Sequence, residues 1–486
     1  MIISHADEFY IDGAWRHSTA SGTSAVVNPA SEEIIGRIAL GGQEDVDLAV
    51  AAARRAFPTF SQSPVEDRLA LLDRIFNLIL ERADLFAEAL VKEMGVAIGF
   101  ARTAQVPFAA EHVRIAIEVL RDYRFLTHNN TTATVKEAIG VCALITPWNW
   151  PLYQMTAKVA PAIAAGCTVV LKPSELSPYS ALLFAQLLHD AGVSPGVFNL
   201  VNGTGDVVGA ALSAHPDVDM ISITGSTRAG ALAAQAAALT VKRVVQELGG
   251  KSPNVFLDDA DFSRGVAKGV LAGMRNVGQS CSAPTRMLVP AGRLAEVEAL
   301  AAVAAAEIQV GDPLSETTTM GPIANEAQYR RVQQMIGAGI DEGAKLIYGG
   351  LGRPTHLNHG FFARPTIFSQ VTPGMRIARE EIFGPVLAII PYRDEEEALQ
   401  IANDTVYGLG AHVQSGDTER ARRFASRIRA GQVHINYPDW DGNAAFGGYK
   451  RSGNGREYGV FGFEEYLETK SIVGYGIAPS RIGATS

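Results

Sequence analysis

The sequence predicts an α/β protein built on two parallel-sheet domains, with a small β segment outside them. Three observations carry this reading. Short apolar strands alternate with helices from Val141 onward, the pattern of a parallel sheet with helices on its faces. Polar loops follow several of those strands immediately. The 486 residues exceed the usual size of one hydrophobic core, so two or three domains are expected.

Taken in order, the N-terminal segment reads as a hairpin around Asp12-Gly13. Amphipathic helices follow, apolar at helical spacing through Val46 to Phe57 and Leu69 to Val91. These read as packing elements without chemistry. The stretch Asp122 to Val135 and the tail after Tyr466 alternate in polarity, and both read as strands that pair outside the main sheets. The first strand series is Val141 to Ile145, Thr168 to Leu171, Phe198 to Val201 and Met220 to Ile223, with helices between, one of them running into Gly192. Its polar loops are Thr146-Pro147-Trp148-Asn149, Lys172-Pro173-Ser174-Glu175 and Thr224-Gly225-Ser226-Thr227. Ligands gather beyond the carboxyl ends of such strands, because helix N-termini and strand-end loops converge there. A second series, including Asn254 to Leu257, Thr285 to Val289, Leu409 to Val413 and Gln432 to Ile435, predicts another α/β domain after about residue 248.

Composition narrows the function. Hydrophobic residues at 47%, charged residues at 19% and 48 glycines describe a compact chain with many turns, which excludes disordered and fibrous classes. A formal charge of −9 with scattered basic residues argues against a nucleic-acid partner. Asp7 and Glu8 precede any apolar run, and no stretch of about 18 apolar residues occurs, so neither a secretory signal nor a membrane span is expected, and the expected location is the cytosol. Three cysteines cannot make a disulfide framework, and none lies at metal-ligand spacing from another cysteine or a histidine.

Each cysteine is therefore judged by its surroundings. Cys142 and Cys167 sit at apolar strand starts, where a free thiol packs as a small hydrophobe. Cys281 lies in Asn276-Val277-Gly278-Gln279-Ser280-Cys281-Ser282-Ala283-Pro284, a loop of small polar residues that leaves a thiol accessible. A thiol near its ordinary pKa of about 8.5 is mostly protonated at neutral pH and needs a base or positive potential to act as a nucleophile. Glu247 is the candidate base. It ends the apolar strand Val244-Val245-Gln246 and precedes Leu248-Gly249-Gly250-Lys251, where glycines permit close backbone approach. Alone, it would equally suit a solvated surface charge.

Together these segments resemble the aldehyde dehydrogenase superfamily, in the family's order and over essentially the whole chain. The resemblance rests on Pro147-Trp148-Asn149, Lys172-Pro173-Ser174-Glu175, Thr224-Gly225-Ser226-Thr227, Glu247-Leu248-Gly249-Gly250-Lys251-Ser252-Pro253 and Gly278-Gln279-Ser280-Cys281. It continues through Glu380-Glu381-Ile382-Phe383-Gly384-Pro385-Val386, Phe446-Gly447-Gly448-Tyr449-Lys450 and Ser452-Gly453-Asn454-Gly455-Arg456-Glu457.

The resemblance implies a Rossmann-like cofactor domain over residues 1–118 and 139–248, a catalytic domain over 249–450, and an oligomerisation segment over 119–138 and 466–486. It implies that Cys281 attacks an aldehyde, that the Asn149 amide and the Cys281 N–H stabilise the oxyanion, and that Glu247 activates the water that hydrolyses the thioester. Physics agrees with these roles, since neutral preorganised donors stabilise developing charge, one such donor being worth about 3 kcal/mol. NAD is the implied cofactor, with NADP admissible. Lys172 and Glu175 would hold the adenosine ribose, where a carboxylate repels a 2'-phosphate. Trp148 and Ser174 belong to the same cofactor set. Gly225 and Ser226 would meet the pyrophosphate at a helix start, and Glu381 and Phe383 the nicotinamide side.

For the substrate tunnel the resemblance implies Trp150, Gln154, Ser280, Ser282, Tyr437, Trp440 and Phe446, whose aromatic rings suit an apolar or aromatic aldehyde. Two departures bear on that set: Ala445 stands where the family often has proline, and the loop from Asn436 to Phe446 is slightly short. Two other chemistries fit parts of the pattern. Transfer of the thioester to coenzyme A would not need Glu247, and a cofactor-independent thiol hydrolase would leave Lys172, Glu175 and Glu381 without a purpose. A catalytically silent scaffold would not need Cys281, Glu247 and Asn149 together. The family's members assemble as dimers or tetramers, so a homodimer or homotetramer is expected.

Overall fold

The computed structural model describes residues 4–476, and residues 477–486 of the expected oligomerisation segment lie outside the described residues. The predicted hairpin is present: Glu8–Ile11 pairs with Ala14–His17. Asp12 and Gly13 between them take φ of 56° and 79°, the two positive values that a tight hairpin turn of matching twist requires. Through Tyr10, which pairs with Leu200, the hairpin extends one edge of an eight-stranded sheet.

The centre of that sheet is five parallel strands in the spatial order Arg243–Glu247, Met220–Thr224, Val141–Ile145, Thr168–Lys172, Phe198–Leu200. Every residue of the three middle strands is buried, which explains their unbroken apolar runs: helices cover both faces. Alternate side chains go to opposite sides. Cys142 and Leu144 join one core with residues of the helices Pro151–Ala165 and Pro178–Asp190. Val141, Ala143 and Ile145 join another with residues of Gln43–Phe60 and Thr227–Ala237. The chain starts at Val141–Ile145, steps outward twice, then returns to the other flank at Met220–Thr224. The order therefore reverses between these two strands, and the crevice at their carboxyl ends is where such sheets bind ligands.

A second sheet of seven strands follows in the order Lys345–Tyr348, Thr366–Ser369, Val386–Tyr392, Arg286–Pro290, Pro253–Phe256, Gly410–Gln414, Gln432–Ile435. All neighbours are parallel except the first pair. The first three strands of that order were not singled out from the sequence; they are short or interrupted by Pro391, and their alternation is weak.

The alternating stretches near residue 126 and after Tyr466 form a three-stranded antiparallel sheet in which Thr132–Ala138 pairs with both Leu126–Asn129 and Leu467–Val473. Its middle strand runs three residues past the predicted Val135. One further return matters for the site: Gly453–Asn454 pairs with Glu247 and Gln246, bringing the C-terminal glycine-rich loops over the end of that strand. Among the described residues no helix is long and apolar enough to cross a membrane.

Candidate active site

At the point where the first sheet reverses order lies a cavity of about 260 Å³, lined by Trp148, Asn149, Gly225, Ser226, Cys281, Glu381 and Phe383 among others. Its walls come from both sheets. Asn149 and Leu248 follow first-sheet strands and Thr224 ends one, whereas Cys281 and Glu381 precede strands of the second.

Cys281 is presented by a strained turn. Asn276, Val277 and Gly278 take φ of 54°, 62° and 68° in succession. For a β-branched residue such as Val277 this conformation costs about 1–3 kcal/mol and persists only where neighbours enforce it. They do so here. Asn276 Nδ2 donates to the carbonyls of Asn149 at 2.8 Å and Gln279 at 3.1 Å, while its Oδ1 accepts from Gln105 Nε2 at 3.0 Å. Gln279 Oε1 accepts from the Ala324 N–H at 3.0 Å. A β-carbon at Gly278 would strike the carbonyl of Gly384, and one at Gly250 the carbonyl of Cys281 itself.

The Cys281 thiol is half-buried and free of disulfide bonds. Burial pushes its pKa well up, and the carboxyls of Glu247, Glu381 and Glu457 push in the same direction. In this pocket alone the sulfur holds its proton, so its activation requires a base, entering water or a bound positive charge. Asn149, at 4% exposure, donates from Nδ2 to the Gln279 carbonyl at 2.9 Å. That bond uses one of the two amide hydrogens and fixes the side chain beside Cys281.

Glu247 ends its strand fully buried, with neither carboxyl oxygen bonded to protein. Burial, and then the charge of Glu457, raise its pKa well above the usual carboxylate range, against opposing pulls from Lys158 and Arg456. Gly447 leaves the room it occupies: a β-carbon there would lie 2.7 Å from Glu247 Oε1. The sequence reading missed the pair behind it. Lys158, on the helix Pro151–Ala165, is completely buried, forms an ion pair with Glu457 and donates to Ser222 Oγ at 3.1 Å. The pair acts on Glu247 through charge alone, Lys158 favouring its ionised form and Glu457 opposing it.

The remaining side of the cavity suits a nucleotide. Ser226 lines the cavity and caps the helix Thr227–Ala237, accepting from the Ala229 N–H at 3.1 Å, and a helix start carries further N–H groups without intrahelical partners. Glu381 is half-buried, accepts from the Gly250 N–H at 3.0 Å and is pushed up to about 7 by desolvation. Its carboxyl fills the space that a β-carbon on Gly249 would need. Phe383 sits edge-on to Trp148 at 5.4 Å with φ of 58°, held by Gln328 Nε2 bonds of 2.8 Å to the carbonyls of Ile382 and Phe383. Gln328 and Arg331 line the same cavity and were not anticipated from the sequence. Lys172, Ser174 and Glu175 stand one strand further along the sheet. Lys172 is buried with its Nζ 3.4 Å from Glu175 Oε2, and Ser174 Oγ accepts from the Leu176 N–H in the local turn.

On its other side Cys281 meets an apolar wall. It packs against the cluster of Ala157, Leu409, Phe446 and Tyr458, as does Tyr153. Trp150 donates from Nε1 to Ser280 Oγ at 2.8 Å, Phe446 stacks on Tyr458 at 5.1 Å, and Trp440 lies 6.2 Å from Tyr458. Ser282 is half-buried beside the thiol, and Gln154 is buried in the first turn after Trp150 with Oε1 unpartnered. Tyr437 does not join them. Its hydroxyl accepts from Asn254 Nδ2 at 2.7 Å and donates to the Gly265 carbonyl at 2.9 Å, so it belongs to the packing of the second sheet. The left-handed backbone at Asn436 and Tyr437 turns the ring away, a conformation that residue type does not announce.

Comparison with known proteins adds to this geometry. Residues 15–472 match the aldehyde dehydrogenase family. A 3-succinoylsemialdehyde-pyridine dehydrogenase of a Pseudomonas species is 56% identical over 469 residues, which cover 96% of this chain and 98% of that protein. The crystal structure of a cysteine-to-alanine mutant of aldehyde dehydrogenase C from Pseudomonas syringae, complexed with NAD+ and octanal, is similar with a TM-score of 0.98 and 66% identity, over 98% of this chain and 99% of that one. A betaine aldehyde dehydrogenase from Staphylococcus aureus in complex with NAD+ gives a TM-score of 0.93 at 34% identity, over 99% and 97% of the two chains.

Proposed function

The chain belongs to the aldehyde dehydrogenase family and is an NAD-dependent enzyme of it, and from that premise we propose that it oxidises an apolar aldehyde bound covalently to Cys281, with hydrolytic release of the acid. One observation carries the assignment of roles: Cys281 stands between a cavity that suits a nucleotide and a wall of aromatic rings, with Asn149 beside it.

With its proton given up to entering water, the Cys281 sulfur adds to the aldehyde carbon, and the charge that develops on oxygen falls to the Asn149 amide and the Cys281 N–H. NAD+, when bound, supplies the hydride acceptor. Cys281 then carries a thioester, and Glu247 takes a proton from the attacking water. The acid must be ionised to do this, so water that enters beside Glu247 prepares it by relieving the burial that holds it neutral. Lys158 favours the ionised form by its charge, and Glu457 opposes it.

For the nucleotide, Ser226 and the helix start behind it suit the pyrophosphate, Lys172 and Glu175 the adenosine ribose, and Glu381 and Phe383 the nicotinamide end. Ser174 shapes the turn that carries Glu175. Glu175 disfavours a 2'-phosphate, which supports a preference for NAD over NADP. Trp150, Phe446 and Trp440 favour an apolar body in the substrate, and the octanal held by the Pseudomonas syringae relative agrees with that class. We place the enzyme in the cytoplasm, as a homodimer or homotetramer.

The test is a panel of aldehydes assayed with NAD+ and with NADP+, on the parent and on Cys281→Ala. Oxidation is expected with NAD+ above NADP+, abolished in Cys281→Ala while NAD+ binding persists. Full turnover by that variant would remove Cys281 from the mechanism.

A further inference from the structure

The aromatic contacts beyond Cys281 end on a cation. Two rows of rings lead outward from the sulfur. One runs through Tyr153 and Trp150, 5.3 Å apart, to Phe100, 5.4 Å from Trp150. The other runs through Tyr458 and Trp440 to Phe108, which stacks on Trp440 at 5.0 Å. Exposure rises along the way, from 7% at Tyr458 to 36% at Trp440. Arg275 joins the outer ends: its Cζ lies 5.1 Å from the centre of Phe100 and 5.8 Å from that of Phe108.

Arg275 is exposed, and among the described residues no carboxylate pairs with it. On the helix that carries Phe108, Glu111 and Glu118 are already paired with Arg114. Two aromatic faces hold the guanidinium plane by cation–π attraction, while its N–H donors lie along the edge of that plane, where a carboxylate can accept two of them side by side. A strained turn fixes the next residue, Asn276, so the base of this side chain does not drift.

We propose that Arg275 is a specificity-determining residue, which receives a carboxylate at the far end of the aldehyde, so that this enzyme prefers ω-carboxy aldehydes with an apolar middle. This deepens the proposed function and rests on it, since it takes Cys281 as the point of attack and the rings as the substrate passage. The body of such a substrate lies along the rings, and its length is set by the span from sulfur to guanidinium. Charge-assisted hydrogen bonds of this kind discriminate by about ten- to a hundredfold.

The experiment compares matched series, n-alkanals and ω-carboxy aldehydes of equal length, with saturating NAD+ on the parent, Arg275→Leu and Arg275→Lys. Thermal unfolding of each variant checks the fold. The expected result is a parent preference for the carboxylated aldehyde at one length. Arg275→Leu lowers that preference at least tenfold, mainly through KM, and Arg275→Lys retains part of it. Added salt lowers it in the parent. A ratio of kcat/KM values that stays within twofold across the three proteins, with alkanals still oxidised, overturns the inference and leaves the proposed function standing. Absence of NADH formation from either series by the parent overturns both.

Discussion

The side-chain amide of Asn149 donates to the backbone carbonyl of Gln279, two residues before Cys281, at 2.9 Å. The bond ties the end of a first-sheet strand to the loop that presents the thiol, so donor and nucleophile are fixed to each other rather than merely near. Asn149→Ala removes both the tie and the second amide hydrogen. We expect kcat/KM to fall about a hundredfold or more, with little change in NAD+ affinity. Asn149→Asp should be worse, because a carboxylate faces a carbonyl in the ground state and an oxyanion in the transition state. Steady-state kinetics of both variants beside NAD+ titrations check this, and equal activity in Asn149→Ala would remove the side chain from the oxyanion site.

Glu247 has no protein hydrogen bond and sits close to Gly447 and the Lys158–Glu457 pair. Its place in the sequence of events is what the next variant reads. Glu247→Gln keeps shape but accepts no proton, so hydride transfer should survive for one turnover while thioester hydrolysis slows. Rapid mixing should show an NADH burst close to one per site followed by a slow steady rate. Loss of the burst would mean that Glu247 also deprotonates the thiol.

The strands of the first sheet were legible because helices bury both faces, so apolar runs such as Val141 to Ile145 have no polar interruption. The loops after them were legible because polar residues at strand ends have few structural reasons to be there. Other features were hidden for physical reasons. Lys158 and Glu457 stand 299 positions apart in the chain and meet inside the core, where sequence alone gives a lysine on a helix no partner. Gln328 and Arg331 reach the cavity from an ordinary amphipathic helix. Tyr437 shares its residue type with tunnel aromatics, and only the backbone turn at Asn436 sends it elsewhere. Arg275 was passed over because its meaning lies in the rings it covers, which come from residues far away in the chain.

Glu381 links stability to pH. Burial raises its carboxyl from 4.5 to about 7 in the folded protein. Below pH 4.5 the group is protonated in both states and its stability contribution is intact; as pH rises toward 7 the unfolded form ionises first and that contribution is lost. The loss amounts to about 3 kcal/mol. Glu381→Gln keeps an oxygen for the Gly250 N–H and cannot ionise, so above pH 7 it should be more stable than the parent by up to about 3 kcal/mol, with no difference near pH 4. NAD+ binding should weaken in the same variant. Urea unfolding at pH 5 and 8 with parallel NAD+ titration separates the two effects, and an equal stability difference at both pH values would refute the assignment to this carboxyl.

The three-stranded sheet has two open edges in the single chain. All four residues of Leu126–Asn129 are exposed, and along Leu467–Val473 only Leu467 is buried, with Ile472 at 37% and Val473 at 81% exposure. Unpaired edges invite strand pairing with another chain, and apolar side chains beside them add area for a second copy to bury. A dimer or tetramer is therefore expected at micromolar concentration in sedimentation equilibrium. Ile472→Lys with Val473→Lys places charges where a neighbour would pack, and should shift the population toward smaller species. Because neither residue is buried in the chain's own core, the thermal midpoint of that smaller species should report the fold and not the contact. A parent that sediments only as monomer at these concentrations would mean that these edges stay exposed to solvent.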